Sequence, residues 1–385
     1  MRGIAIILVL LFHYGVQQGG TVPGSIGAYV LKGLSLSWSG VDLFFVLSGY
    51  LIGGILLDHV HEQNSFRIFY TRRFLRIVPL YAFVLVVGLG CGAASFAPIY
   101  YYLTFTQNIW IATYADFTNY YGVTWSLAVE EQFYVLLPLL VWLLPRTWLP
   151  AALVSLIVLA PICRIFALGF FKTPIAPYVL FPCRMDALLC GVLCAYAMSQ
   201  AKIRDWLFHN RVILYGTLVI LLAWPALATL KGWSLFSFQM QSFGFTLLAF
   251  AYACFLLIAI VEKSGPVAWL TRLAPLGGFG MLAYCIYLIH PGVLNVVSQV
   301  LGRSFPADWL LLGVSLISVM IIAGVSWRFF ERPLVSLGHR WTYSGQVLPT
   351  FQPDRSRFCS VSPRVATNET TRSSGLAPAA ASSCN

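Results

Sequence analysis

Ten stretches of this chain are apolar over about the length that crosses a bilayer: 1–17, 35–57, 77–97, 126–144, 148–170, 183–200, 212–230, 242–262, 276–296 and 308–328. A helix rises about 1.5 Å per residue, so roughly 17–25 apolar residues span the hydrocarbon core. Inside lipid every backbone polar group needs a partner within the protein, and a continuous segment of this length meets that demand as a helix. Composition agrees: 59% of residues are hydrophobic, 10% are charged and the mean hydropathy is +0.80, against about 25% charge in soluble domains. The sequence therefore predicts an all-α, polytopic transmembrane helical bundle of about ten spans. The first stretch resembles a secretory signal, but no small-residue cleavage site follows and His13 interrupts it.

The basic residues set a direction. With both termini in the cytoplasm, the inner side receives Arg2, the Arg67–Arg76 group, Arg146, Lys202, Arg204, Arg211, Lys263, Arg272 and every arginine from Arg328 onward. Lys32, Arg164, Lys172, Arg184, Lys231 and Arg303 fall outside, and the outer segment 98–125 has no Lys or Arg. This follows the positive-inside rule, so the net charge of +11 reads as topology and not as a nucleic-acid surface. The cysteines are scattered singly, without metal-ligand spacing, and read as small buried hydrophobes. Residues 1–340 form the predicted membrane domain. Residues 341–385, rich in Ser, Thr, Pro and Ala, are expected to be a disordered cytoplasmic tail.

Ionisable side chains within spans are costly, and each is a candidate for function. Arg2 and His13 are eleven residues apart. On an ideal helix they share a face about 16 Å apart, one at the membrane surface and the other near the midplane. Arg72, Arg73 and Arg76 extend the cytoplasmic charge, with Arg73 and Arg76 on one helical face. Clustered guanidiniums suit phosphates, lipid headgroups or plain topology. A second group is expected toward the outer half. It comprises Asp42 in WSGVDLFFVLSGYLIGG, Glu130 and Glu131 in TWSLAVEEQFYVLLPLL, Arg184 and Asp186 in FPCRMDALLCG, and His290 before the helix-loosening Pro291. Gly49 and Gly53 share a face with Asp42 and invite close helix packing. Asp42 also suits a structural pair with Arg184, and Glu331-Arg332-Pro333 suits a helix-end clamp.

The motifs RGIAIILVLLFH, GVDLFFVLSGYLIGGIL, FYTRRFLRIVPLY, TWSLAVEEQFYVLLPLL, RMDALLCG, YLIHP and FFERPL, in this order, resemble the acyltransferase-3 family of integral membrane acyltransferases. The likeness runs from residue 1 to about 340. The family's usual Leu-Asp-Gly-Leu-like lead does not precede Arg2 here, and nothing after 340 resembles the extracytoplasmic hydrolase-like domain of some members.

The resemblance implies acyl transfer, often acetyl, from acyl-coenzyme A to a hydroxyl of a carbohydrate or glycolipid at the cytoplasmic (inner) membrane. The family's arginine-x10-histidine signature maps onto Arg2 and His13. His13 would then be the general base, with Asp42 and Glu130 or Glu131 as carboxylate partners. Arg2, Arg72, Arg73 and Arg76 would hold the coenzyme phosphates, and Arg184, Asp186, Trp125, Tyr134 and His290 would line the acceptor site. No metal is expected. A transporter or flippase of a lipid-linked sugar or small molecule is the alternative, though the chain shows no internal repeat.

Overall fold

The computed structural model describes residues 1–17, 33–90, 97–115, 120–231, 233–302 and 309–343. Among them every regular element is a helix and no strand is present. The long helices are α1 (Arg2–Leu10), α2 (Gly40–His59), α3 (Ser65–Gly90), α4 (Trp125–Leu143), α5 (Leu149–Phe171), α6 (Phe181–Ser199), α7 (Arg211–Leu230), α8 (Phe245–Val261), α9 (Ala274–Leu301) and α10 (Trp309–Ser326). Eight helical segments are long and apolar enough to cross a membrane. The pair Ala201–His209 and Arg211–Pro225, bent by 78°, makes a ninth if taken as one span, and the apolar stretch Arg2–Val16 is shorter.

Apolar side chains cover the outside as well as the core. Val86, Val158, Phe166, Ile220, Val300 and Ile317 are all exposed, as expected where lipid is the solvent. Among the described residues six cysteines are free thiols, of which Cys183, Cys190, Cys194 and Cys285 are buried.

Three elements depart from the expected boundaries. The third span begins at Ser65 instead of 77, so the arginine run lies within the helix and not ahead of it. The last span does not stop at 328. It passes through a π-helical turn, Trp327–Glu331, into a helix at Arg332–His339. Glu331 is buried there, accepting from the Ser326 hydroxyl at 3.0 Å, so the Glu-Arg-Pro run continues a helix where a terminal clamp was expected. The third departure is the outer segment 98–125, which folds into short helices, Ile99–Leu103 and Gln107–Tyr114. They are anchored by Gln107 on the Thr124 carbonyl (2.9 Å) and Asn108 on the Val179 carbonyl (3.2 Å).

The expected tail begins on the bundle. Arg72 donates to the Trp341 carbonyl (2.5 Å), and Tyr343 stacks on His59 with ring centroids 4.2 Å apart. The rest of it, 344–385, lies outside the described residues, as do Lys32, Arg303, Cys91 and the end of the third stretch, 91–96.

Two close helix pairs build the frame. α2 and α6 run side by side in parallel, with Asp42 level with Arg184 and Gly49 level with Leu188. A Cβ at Gly49 would strike the Leu188 carbonyl, and one at Gly191 would strike the Val46 carbonyl. This is the close approach that small residues permit between membrane helices. α1 and α9 form the second parallel pair, where a Cβ at Gly3 would strike the Leu276 carbonyl. Further along the same two helices, His13 meets His290.

Candidate active site

α1 does not carry a regular α-helix as far as His13. It passes into a π-helical turn at Leu11–Val16, a rare widening that is frequent at functional sites. The His13 ring is only partly buried. Its Nδ1 lies 2.7 Å from Oε1 of Gln17, one turn on, and its centroid lies 4.8 Å from that of His290, with planes tilted by 52°. None of the carboxylates expected to orient His13 contacts it. Asp42 is paired with Arg184, and Glu130 is bound to Tyr134.

His290 is fully buried. Pro291, the next residue, has no N–H and leaves the Tyr287 carbonyl without its helical donor. The His290 Nδ1 lies 2.9 Å from that carbonyl and 3.2 Å from the Ile286 carbonyl. The proline was expected to loosen the helix, but α9 runs ten residues past it to Leu301. The hydroxyl of Tyr14 donates to the His290 carbonyl at 2.9 Å, tying the two helices together at this level.

From the imidazoles a line of polar groups leads toward the other end of α1. Tyr287 donates to the Val123 carbonyl (2.8 Å), and its hydroxyl lies 2.6 Å from Ser126 Oγ at the start of α4. Ser126, Glu130 and Tyr134 follow at four-residue spacing and so lie on one helical face. Tyr134 donates to Glu130 at 3.1 Å and sits 2.5 Å from the Ser48 hydroxyl on α2. Tyr284, one turn below Tyr287 on α9, donates to the Ile77 carbonyl of α3 at 2.8 Å.

At the end of this line Arg2, Arg73 and Arg76 lie within electrostatic range of one another and of Glu130 and Tyr134. The Arg73 guanidinium stands 5.6 Å over the Tyr134 ring. None of the three closes an ion pair within 4.0 Å among the described residues, where the ion pairs that do form are His59–Glu62, Arg164–Asp186, Arg184–Asp42 and Arg204–Asp205. Three neighbouring guanidiniums, with Glu130, Glu131 and Glu331 in electrostatic range but not paired to them, make a cluster that suits phosphates.

The expected sorting by depth therefore changes. Glu130, expected as a carboxylate partner of His13, and Tyr134, expected at the acceptor site, lie with the arginines. Glu131 is also drawn inward, within range of Glu130 and Arg73, although one of the two glutamates was expected to face away. Arg72 points elsewhere, to Trp341 and the Tyr343 ring.

Arg184, Asp186 and Asp42 form a separate cluster. Arg184 donates to Asp42 at 2.5 Å and Arg164 donates to Asp186 at 2.9 Å, with every member at most 1% exposed. Thr246 adds a bond to Asp186 at 2.6 Å, and Arg184 lies 4.2 Å over the Phe245 ring. Trp125 is buried against Phe45 and Tyr178. Arg184, Asp186 and Trp125 were expected to line an acceptor site and Asp42 to serve His13 or pair with Arg184; the fold packs them together at a junction of α2, α4, α5, α6 and α8, with the Asp42–Arg184 pair formed. Arg164, counted with the outer-side charges, is fully buried. Its position well inside the 148–170 apolar stretch was the signal. Among the described residues no group of three or more His, Cys, Asp or Glu side chains is placed to hold a metal ion.

The model of the acyltransferase domain family, acyltransferase-3, matches residues 1–328. The chain belongs to this family. Among the curated relatives of this acyltransferase-3 chain are O-acetyltransferase OatA of Staphylococcus aureus (strain NCTC 8325 / PS 47) and peptidoglycan O-acetyltransferase OatA of Listeria monocytogenes serovar 1/2a (strain ATCC BAA-679 / EGD-e). The first is 25% identical, over 88% of this chain and 57% of the relative. The second is 26% identical, over 87% and 54%. The chain thus spans a little over half the length of these relatives. No solved structure matches.

Proposed function

We propose that the protein is a membrane O-acetyltransferase that moves an acetyl group from acyl-coenzyme A to a hydroxyl of a cell-wall carbohydrate, with His13 as the general base. The observation that carries this reading is the row of polar groups from the Arg2/Arg73/Arg76 cluster, past Tyr134, Glu130, Ser126 and Tyr287, to the imidazoles of His290 and His13. The arginine cluster suits the phosphates of a cytoplasmic donor, and a bidentate guanidinium fork grips each phosphate well. Roughly 16 Å along the same helix, His13 accepts a proton from the acceptor hydroxyl, because a neutral imidazole is the side chain suited to that exchange near neutral pH. Gln17 fixes which nitrogen stays protonated, the role first given to a carboxylate. The relatives named as O-acetyltransferases, one of them for peptidoglycan, support the acetyl group and the carbohydrate acceptor. In this reading the arginine end of the bundle faces the cytoplasm and the His13 end faces the acceptor.

Membrane vesicles carrying the protein are expected to release free coenzyme thiol from acetyl-coenzyme A. A transporter or flippase would release none. Arg73→Ala or Arg76→Ala removes one charge-assisted phosphate contact, worth about 1.5–3 kcal/mol, and should raise KM for the donor about ten- to a hundredfold. If KM stayed unchanged in folded variants, the donor site would lie elsewhere.

A further inference from the structure

His290 is a second imidazole that the proposed reaction leaves unused. Its Nδ1 faces only backbone carbonyls, those of Tyr287 and Ile286. Carbonyls accept and never donate, so the neutral ring carries its proton on Nδ1 and its lone pair on Nε2. That Nε2 is buried and has no hydrogen-bond partner. A buried acceptor left bare is costly, and bare polar atoms in a folded core call for a reason. Across the gap the Nδ1 of His13 is engaged by Gln17 Oε1, an acceptor, so the neutral ring keeps its lone pair on Nε2. The two rings stand 4.8 Å apart, centroid to centroid. The groups around them are neutral: Tyr14 from α1, Tyr287 on α9 and Ser126 from α4. Among the described residues His13 is the one titratable group whose charge bears on His290.

We infer that His13 and His290 are a proton-sharing pair. This rests on the acyl-transfer reading. As the acceptor oxygen bonds the acyl carbon and the carbon–sulfur bond breaks, the hydroxyl proton passes to Nε2 of His13. The bare Nε2 of His290 accepts a hydrogen bond from it, spreading the new positive charge over two rings in a region without a carboxylate. The proton then leaves with the sulfur as free thiol, and both rings return to their starting tautomers. His290 is therefore a positioning residue, acting through His13. Pro291 is part of the device, because it frees the carbonyl that fixes the tautomer.

Chemical rescue tests the pair, with thiol release from acetyl-coenzyme A as the readout. His290→Ala is expected to lower kcat about a hundredfold, leave KM for the donor unchanged, and regain activity when imidazole is added. Pyrazole has nearly the same shape and far weaker basicity, and is expected to restore nothing. His290→Asn can still donate to the Tyr287 carbonyl while lacking the base, so it should fold and show the same loss. Equal rescue by both azoles would mean a filled cavity and overturn the inference, as would a folded His290→Asn protein with the normal rate. If the wild-type protein itself releases no thiol, the acyl-transfer reading fails instead. Nitrogen-15 spectra of histidine-labelled protein then test the pair alone: the His13 resonances during titration change on removal of His290 if the rings share a proton, and stay as they were if they do not.

Discussion

His13→Ala is expected to abolish acyl transfer while leaving the protein folded and inserted. Loss of a positioned general base costs about 10²–10⁴ in rate, and here no neighbouring carboxylate stands ready to replace it, since Asp42 and Glu130 are held by Arg184 and Tyr134. The ring is only partly buried, in a π-helical turn that is not part of the tight α1/α9 contact at Gly3, so its removal leaves the frame intact. Thermal unfolding of the purified variant should match the wild type, with thiol release near background. A folded His13→Ala protein that transfers acetyl at the normal rate would remove the base from the mechanism.

The opposite outcome is expected in the buried charge cluster. Asp42→Asn leaves the Arg184 guanidinium charged, unpaired and wholly buried among α2, α6 and α8. Breaking one side of such a pair costs about 3–5 kcal/mol, a large part of the stability of an ordinary domain. The variant should unfold early or fail to accumulate. Replacing both partners with apolar residues, Asp42→Leu with Arg184→Met, removes the uncompensated charge and should recover most of the loss, because such swaps are often neutral or better. If the recovered double variant still transfers acetyl groups, Asp42 and Arg184 belong to the architecture. If Asp42→Asn is instead as stable as wild type and inactive, Asp42 returns to the reaction.

Much of this was legible in the sequence because lipid allows so few solutions. Apolar length gave the spans, and the position of Gly49 near Asp42 announced a close helix contact that the α2/α6 pair shows. The period of eleven placed Arg2 and His13 on one helix, though the π-helical turn shifts the register between them. The Asp42–Arg184 pair was among the readings of the sequence and the fold forms it, but most pairing across the bundle was hidden. Nothing in one chain says that residue 13 meets residue 290, that Glu130 turns toward Arg2 and not toward Asp42, or that Arg164 reaches Asp186 across 22 positions. Depth estimates from span boundaries also failed where helices overran them, as α3 did by twelve residues at the arginine run.

The central claim is spatial: phosphates at one end of the polar line and the reacting carbon at the other. The most direct test is a structure of the protein in lipid with a non-hydrolysable acetyl-coenzyme A analogue. The account predicts phosphate oxygens within hydrogen-bond reach of Arg2, Arg73 and Arg76, the pantetheine arm passing Glu130 and Tyr134, and the acyl carbon beside His13. Phosphates bound away from the three arginines, or an acyl group ending in the Asp42–Arg184 cluster, would contradict it.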